Sequence, residues 1–215
     1  MLPDKKFQII ELTYNLLRAI GEDTEREGLR ETPGRVAKAW EQLLSGYDDD
    51  PKQYLKIFHE PSSDEMILIR NINLVSVCEH HMLPFIGKAH IAYIPGFASY
   101  SAVTGTYDTS SLPVGPTPSN ERILLGLSKF HRIVRSFSRR LQVQEKLTTQ
   151  IADFLNSSLV PLGIGVAIEA SHLCSSIRGV EDPDSTMRTS ALKGVFRDQE
   201  ATRNEFLHLI GWGSR

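Results

Sequence analysis

Apolar residues recur at helical spacing in several stretches of the chain. In residues 5–19, Phe7, Ile10 and Leu17 follow the pattern of an amphipathic helix, which Gly21 would end. The same spacing predicts helices over four further stretches: 34–45, 128–140, 143–159 and 199–210. A short helix is also expected over 51–58, and Thr32 and Ser128 are the expected N-caps of the helices that follow them.

Four other stretches are rich in β-branched and apolar residues, which is typical of strands. They cover 66–77, 87–94, 163–169 and 187–196. The order is therefore helices, two strands, two helices, two strands and a helix. This order predicts an α+β domain with an antiparallel four-stranded sheet, two helices on one face of it, and N-terminal helices in front.

Residues 96–122 interrupt this pattern, because they are rich in Gly, Ser, Thr and Pro and show no periodicity. Structureless loops beyond about 12–15 residues are usually functional or disordered. We predict an inserted loop here, with an extra hairpin through 103–107 as the alternative. The chain then divides into an N-terminal helical region, 1–60, and an α+β domain, 61–215, which carries the insertion.

Composition narrows the possible partners and the location. The chain has 215 residues, 40% of them hydrophobic and 23% charged, with a net charge of −2. This near-neutral balance predicts no nucleic-acid and no membrane partner. No apolar run approaches the roughly 20 residues that cross a bilayer. The N-terminus lacks the pattern of a secretory signal, so a cytoplasmic location is expected.

Two short clusters of thiol and imidazole groups stand at predicted strand ends. Cys78 is followed by Glu79, His80 and His81, and Cys174 is preceded by His172. These are the only two cysteines of the chain, and each has a histidine within three positions. A disulfide is the less expected use of two cysteines in a reducing compartment. Inert buried thiols remain an alternative, but the nearby histidines favour a metal site.

A shared zinc ion would make these residues a possible catalytic site. Two thiolates and one imidazole, from Cys78, Cys174 and His81, suit Zn²⁺. Three protein ligands leave the fourth tetrahedral position open, as in catalytic zinc sites. Zinc lowers the pKa of a water in that position to roughly 7. His80 would point away from His81 at a strand end, so His80 and His172 are expected to move protons instead of binding the metal.

The predicted helix 128–140 carries cations close to its beginning. Lys129 and Arg132 share one face, where positive charge opposes the helix dipole. A bound phosphate would explain such an arrangement. A solvated basic face explains it equally well from this helix alone.

Several runs, in the same order along the chain, resemble the GTP cyclohydrolase I family. They are Gly21-Glu22-Asp23, Arg26-Glu27-Gly28-Leu29, Thr32-Pro33, Arg35-Val36-Ala37-Lys38, Cys78-Glu79-His80-His81, the run from Pro84 to Pro95, Gly126-Leu127-Ser128-Lys129, Arg132-Ile133-Val134, the run from Arg139 to Glu145, His172-Leu173-Cys174 and Arg178-Gly179. The resemblance covers nearly the whole chain except 96–122. One departure is Ser175-Ser176-Ile177, where bulkier residues are common in the family, although the spacing to Arg178 is kept.

The resemblance implies a fold, an activity and an assembly. The fold is the tunnelling fold, with 61–215 as its catalytic domain, and the subunits form a homodecamer with sites between them. The activity is zinc-dependent hydrolysis of GTP at guanine C8, which releases formate and forms 7,8-dihydroneopterin triphosphate. This is the first step of pterin and folate biosynthesis.

The resemblance also assigns roles to single positions. Cys78, His81 and Cys174 match the zinc ligands, and His80 and His172 match the catalytic proton-transfer residues. Glu145 matches the residue that holds guanine, and Gln144 is a further substrate-binding position. The positions that match triphosphate contacts are Ser128, Lys129, Arg132, Arg178 and Arg35.

Two other functions remain open at this point. One is a non-catalytic nucleotide- or pterin-binding ring with a structural zinc, and the other is a different tunnelling-fold enzyme that acts on a pterin. The native metal could also be iron or manganese, although two thiolates favour zinc.

Overall fold

The computed structural model describes residues 3–61, 65–96, 99–101, 106–108 and 121–212. The helices of these residues are α1 Pro3–Ala19, α2 Glu27–Arg30, α3 Thr32–Leu43, α4 Leu127–Ser138, α5 Gln144–Leu159, α6 Leu173–Ser176, α7 Val195–Asp198 and α8 Glu200–Leu209. Their strands are β1 Ile57–Pro61, β2 Ile67–Cys78, β3 Pro84–Ile94, β4 Ser99–Ser101, β5 Thr106–Asp108, β6 Glu121–Leu125, β7 Leu141–Gln142, β8 Gly163–His172 and β9 Met187–Gly194.

The central sheet has the strand order β7-β2-β3-β8-β9. Its four long strands, β2, β3, β8 and β9, are antiparallel neighbours, and the two-residue β7 pairs parallel with β2. The predicted α+β class, the two hairpins and the four antiparallel strands are confirmed.

The register of β3 brings two distant parts of the chain to the same end of the sheet. Val77 pairs with Pro84 at the end of β2, and Phe85 pairs with His172 at the end of β8. Because β3 is antiparallel to both β2 and β8, these two strands run in the same direction and end at the same edge of the sheet, separated by β3. Cys78 and Cys174 therefore leave the sheet at the same place.

Helices α4 and α5 cover one face of the sheet and form the main core. Ile133 of α4 and Leu147 and Ile151 of α5 are fully buried and belong to the same cluster as Leu74 and Val166 of the sheet. The i, i+4 spacing in α5 places its apolar residues on one stripe. Each such side chain contributes about 1.5–3 kcal/mol through burial, so this packing holds the helices firmly against the sheet.

The C-terminal helices α7 and α8 pack on the opposite face of the sheet. Phe196 and Phe206 meet edge to face with ring centroids 5.7 Å apart, over Ala92 and Ala167. Gly165 makes room for them, because a Cβ there would lie 3.0 Å from both rings. Within the described ranges, no helix combines the length and apolar character needed to cross a membrane.

Both predicted helix caps are wrong by one or two positions. Thr32 is the first residue of α3, and Glu31 is the N-cap. The one-turn α2 precedes α3, and the Thr32 hydroxyl donates to the carbonyl oxygen of Gly28 (3.3 Å) instead of capping α3. Ser128 is likewise inside α4, whose N-cap is Gly126.

The predicted helix over 51–58 is only partly present. Pro51–Tyr54 forms a 3₁₀ turn, and the chain then continues as β1, which pairs with β6 in a small separate sheet. β1 has only five residues and includes His59, Glu60 and Pro61, so it lacks the β-branched and apolar run that predicts a strand.

The segment 96–122 contains some regular structure. β4 and β5 pair as a short antiparallel hairpin, in agreement with the alternative of an extra hairpin. The end of the predicted loop is part of β6, where the Arg122 guanidinium donates to the carbonyl oxygen of Pro95 (3.1 Å) and Ile123 is buried. Residues 97–98, 102–105 and 109–120 of the predicted loop lie outside the described residues.

Candidate metal centre

The turn after β2 holds the first two predicted ligands. Cys78 is the buried last residue of β2, and its N–H donates to the carbonyl oxygen of Leu83 (2.9 Å). The Met82 N–H donates back to the Cys78 carbonyl oxygen (2.8 Å), and Met82 itself has a left-handed φ of 55°. These bonds close a tight reversal that keeps His81 near Cys78, with His81 exposed.

The third predicted ligand comes from the end of β8. The strand ends at His172, and the chain turns into α6, which carries the half-buried Cys174. The ligand atoms of Cys78, His81 and Cys174 all lie within 4.8 Å of one another. The structure thus brings together the three residues that the sequence selected as metal ligands.

The donor set and spacing fit a tetrahedral zinc ion. Zinc–sulfur and zinc–nitrogen bonds of about 2.3 and 2.0–2.1 Å place tetrahedral ligands about 3.5–3.8 Å apart, so small side-chain adjustments would close the triad. His80 does not belong to this group among the described residues. Its Nδ1 lies 3.9 Å from the Cys78 sulfur, and its ring lies edge-on to His81 at 6.4 Å.

The Cys174 thiol is perturbed by its surroundings. Burial raises the pKa of Cys174, and the hydrogen bond and charge of Cys78 act in the same direction, while the positive charge of Arg178 opposes them. A thiol whose ionisation is disfavoured in the free protein becomes a good ligand once a cation compensates its charge, because metal binding releases the proton.

His172 is held between the sheet and α5. Its ring stacks on the buried Phe85 with centroids 4.6 Å apart and planes inclined by 8°, and its Nε2 lies 2.8 Å from Oε1 of Gln144. Burial lowers the pKa of His172, and the nearby carboxylate of Glu145 acts in the opposite direction. The ring is thus fixed in position and favoured in its neutral form.

Gln144 and Glu145 begin α5 but face different environments. Gln144 is buried, and its Nε2 donates to protein acceptors on β8 and β9, whereas Glu145 is exposed in the first helical turn. A cavity of about 390 Å³ lies at the site, and its lining includes His172, Cys174 and Met187.

The predicted triphosphate contacts are spread over the chain. Arg178 follows α6 and acts on Cys174 electrostatically, whereas the Arg132 guanidinium of α4 lies 5.8 Å above the ring of Tyr54. Arg35 of α3 pairs with Glu31 (3.2 Å). Among the described residues, Arg35, Ser128, Lys129 and Arg132 make no hydrogen bond or ion pair with the three metal-site residues.

Sequence reasoning assigned no role to Phe85, although this residue supports His172 directly. It also missed Thr148 and Thr189, which contact Gln144. Phe85 lies in the run from Pro84 to Pro95 that resembles the family, close to the predicted ligands, so its position carried a signal. The threonines carried none, because an amphipathic pattern does not tell a buried hydroxyl from an exposed one.

Together, the fold and the site define a class: an α+β protein with an open site of two cysteines and one histidine at the end of an antiparallel sheet. The GTP cyclohydrolase I family model matches residues 9–105 and 110–211. The chain belongs to the GTP cyclohydrolase I family, for which the resemblance implied the tunnelling fold.

Named relatives agree with the family model over most of their length. GTP cyclohydrolase 1 of Chlorobaculum tepidum is 47% identical over 94% of this chain and 79% of its own length. The enzymes named GTP cyclohydrolase 1 from Caldanaerobacter subterraneus and Deinococcus radiodurans are each 44% identical, over 95% and 97% of this chain and 96% and 86% of their own. The crystal structure of apo archaeosine synthase QueF-Like overlaps with 62% of this chain and 97% of its own, with a TM-score of 0.41 and 14% identity.

Proposed function

We propose that this protein is a zinc-dependent GTP cyclohydrolase I. It hydrolyses GTP at C8 of guanine, a cyclic amidine carbon, and releases formate and 7,8-dihydroneopterin triphosphate at the start of pterin and folate biosynthesis. The observation that carries the proposal is the convergence of Cys78, His81 and Cys174 within 4.8 Å, beside the half-buried His172 and the exposed Glu145.

Cys78, His81 and Cys174 hold the metal in this proposal. When bound, zinc supplies Lewis-acid chemistry and lowers the pKa of a coordinated water to about 7. Two thiolates favour zinc over iron or manganese. The three side chains come from two hairpins, so their geometry depends on the packed sheet and not on a flexible loop.

The chain's own residues then bind GTP and move protons. The Glu145 carboxylate accepts the two N–H groups on the guanine edge, which suits a bidentate acceptor in an exposed first helical turn. His172 and His80 transfer protons near C8. His172 is suited to this role because its ring is held by Phe85 and its pKa is lowered by burial, which keeps it able to accept a proton near neutral pH.

The triphosphate binds cations from several subunits in this proposal. Arg178 lies near the ligands of its own chain, whereas Arg35, Lys129 and Arg132, together with Ser128, reach a site on a neighbouring subunit. Two observations support an oligomer, which we propose is a homodecamer. The β9 edge has no further strand partner among the described residues, and α1 exposes Phe7 (71%) and Leu12 (68%). The proposed location is the cytoplasm.

A metal and product assay on matched variants tests the function. The wild-type protein should contain one zinc per chain and convert GTP to formate and a fluorescent pterin. Cys174→Ser should lose the zinc and at least about 10²-fold in turnover, because a metal ligand matters at least as much as the outer residues that support it. The neighbouring Ser175→Ala should keep both.

Three results would contradict the proposal in different ways. Normal turnover by a metal-free Cys174→Ser protein would exclude the zinc mechanism. Binding of GTP by the zinc-loaded wild type without formate release would favour the non-catalytic ring. Equal turnover of guanosine and GTP would favour a different pterin or purine enzyme, because the triphosphate cations would then have no role.

A further inference from the structure

A directed chain of hydrogen bonds ends at the side chain of Gln144. The Thr148 hydroxyl lies 2.7 Å from the backbone carbonyl oxygen of Gln144 and 2.7 Å from the Thr189 hydroxyl. A carbonyl oxygen only accepts, so Thr148 donates its hydrogen to it. Thr189 must then donate to Thr148, and its own oxygen remains only as an acceptor.

Three acceptors therefore surround one end of the Gln144 amide. They are Thr189 Oγ1 (3.1 Å), the Ile168 carbonyl oxygen (3.1 Å) and the Met187 carbonyl oxygen (3.0 Å). An amide oxygen placed there would face three acceptors without a hydrogen between them. The nitrogen must occupy this position, because an oxygen there would leave these buried acceptors without a donor.

The other end of the amide then determines the hydrogen position on His172. Gln144 Oε1 accepts only, and it lies 2.8 Å from Nε2 of His172. This nitrogen must carry a hydrogen, so the neutral ring has its lone pair on Nδ1. The residues that bond to the Gln144 side chain lie on β8 and β9, where Thr189 pairs with Ile168. The packed sheet and α5 therefore fix the orientation of the Gln144 amide.

We propose that Gln144 is a positioning residue that holds His172 as the tautomer with its hydrogen on Nε2, which leaves Nδ1 as the proton acceptor. The inference rests on the proposed function, in which His172 transfers protons. It differs from the substrate contact that the family resemblance implied for Gln144, because the amide groups of this side chain are engaged by protein atoms and the residue is 1% exposed.

Steady-state kinetics separate the two roles of Gln144. Gln144→Met keeps the side-chain length without an amide, so a positioning role predicts a fall in kcat of at least about tenfold with KM for GTP nearly unchanged and zinc retained. A raised KM with unchanged kcat in Gln144→Met would assign the residue to substrate binding and overturn the proposal.

Gln150→Met is the matched control for this substitution. Gln150 is on the same helix, is half-buried, and accepts from the Gln142 amide (2.9 Å) without contacting His172. It should change stability without changing kcat. An equal loss of kcat in both variants would indicate a general effect on α5 and would contradict a specific role of Gln144.

The tautomer can also be measured without any turnover. The ¹⁵N shifts of the His172 ring in the zinc-loaded protein, assigned by comparison with His172→Gln, should report a hydrogen on Nε2 in the wild type. Gln144→Met should give a mixture of the two neutral tautomers. A hydrogen only on Nδ1 in the wild type would overturn the inference. The expected tautomer in a protein that does not convert GTP would instead overturn the proposed function.

Discussion

Phe85 and His172 are register partners on adjacent strands, and their rings lie almost parallel at 4.6 Å. Phe85 is fully buried in the main core, whereas His172 is half-buried beside the predicted metal ligands. The stack thus connects the main hydrophobic core to the predicted metal site. A histidine supported on one ring face by the core has little freedom to leave its position.

Replacing Phe85 by leucine should reduce turnover without removing the metal. Leu is apolar and smaller, so the core should lose about 1–3 kcal/mol, and His172 should lose its stacking surface. We expect kcat to fall by about tenfold with one zinc per chain retained, measured by formate release and metal analysis. Phe154→Leu is the control, because it removes a ring that packs edge to face on Phe137 and not on a histidine. Comparable kcat values in the two variants would contradict a special role of Phe85.

Glu145→Gln tests guanine recognition. An amide cannot accept both N–H groups of the guanine edge, so kcat/KM for GTP should fall by about two orders of magnitude. Zinc content should not change, and the loss of stability should be small because Glu145 is exposed. Glu200→Gln controls for the helix dipole, since Glu200 is also an acidic residue in a first helical turn, that of α8. Unchanged kcat/KM in Glu145→Gln would remove this residue from the substrate site.

Gly87→Ala should destabilise the sheet next to the site. Gly87 pairs with Ala170, and a Cβ on it would lie 1.9 Å from the Glu169 carbonyl oxygen and 2.6 Å from Ala170 Cα. The backbone must move to relieve these contacts, which should cost about 1–3 kcal/mol or more.

Gly34→Ala is the opposite case, because a Cβ there has no heavy atom within 4 Å and the residue is inside α3. It should raise stability by about 0.5–1 kcal/mol. Urea unfolding of both variants measures the two effects. Equal stability of the two alanine variants would show that the β3–β8 contact is not tight.

The stability of the protein should fall as the pH decreases below about 6.5, the usual pKa of an unfolded histidine. Burial lowers the pKa of His90, as do the charges of Arg70 and Lys88, while Glu169 opposes them. The unfolded chain then binds a proton at a higher pH than the folded chain. The stabilising contribution is therefore complete above the unfolded pKa and is lost as the pH falls through the folded pKa.

His90→Gln should weaken this dependence, measured as the urea midpoint between pH 7.5 and pH 5. The pKa of His172 is lowered in the same direction, so some dependence should remain in the single variant. A variant with the full wild-type dependence on pH would exclude a contribution from His90. The 6% exposure of His90 and its position beside Trp212 make solvent access to the ring limited.

Runs of β-branched and apolar residues predicted the long strands of the sheet, and helical periodicity predicted the two main helices that cover it. The pattern around Leu147 and Ile151 indicates which side of α5 is buried, and the runs before Cys78 and His172 indicate strands that end at reactive residues. The metal triad followed from the scarcity of cysteines and their histidine neighbours. These features are local or involve few residue types, so the sequence displays them directly.

Other features depend on contacts between distant residues. The pairing of Ile57 with Leu125 determines β1, and neither residue predicts it alone. The direction of the Gln144 amide depends on Thr189, which reaches it only after β9 has paired with β8. The division of the chain at residue 60 and the inserted nature of 96–122 stay predictions.

The three predicted metal ligands come from the end of β2 with its following turn and from α6, which follows β8. Cys78 and His81 leave the ribosome long before Cys174, and β8 must dock against β3 before the second thiol arrives. A partly synthesised chain therefore lacks the complete set of ligands that would bind a metal ion. Metal uptake should coincide with completion of the sheet, so that the protein acquires its reactive centre only in molecules that have already folded.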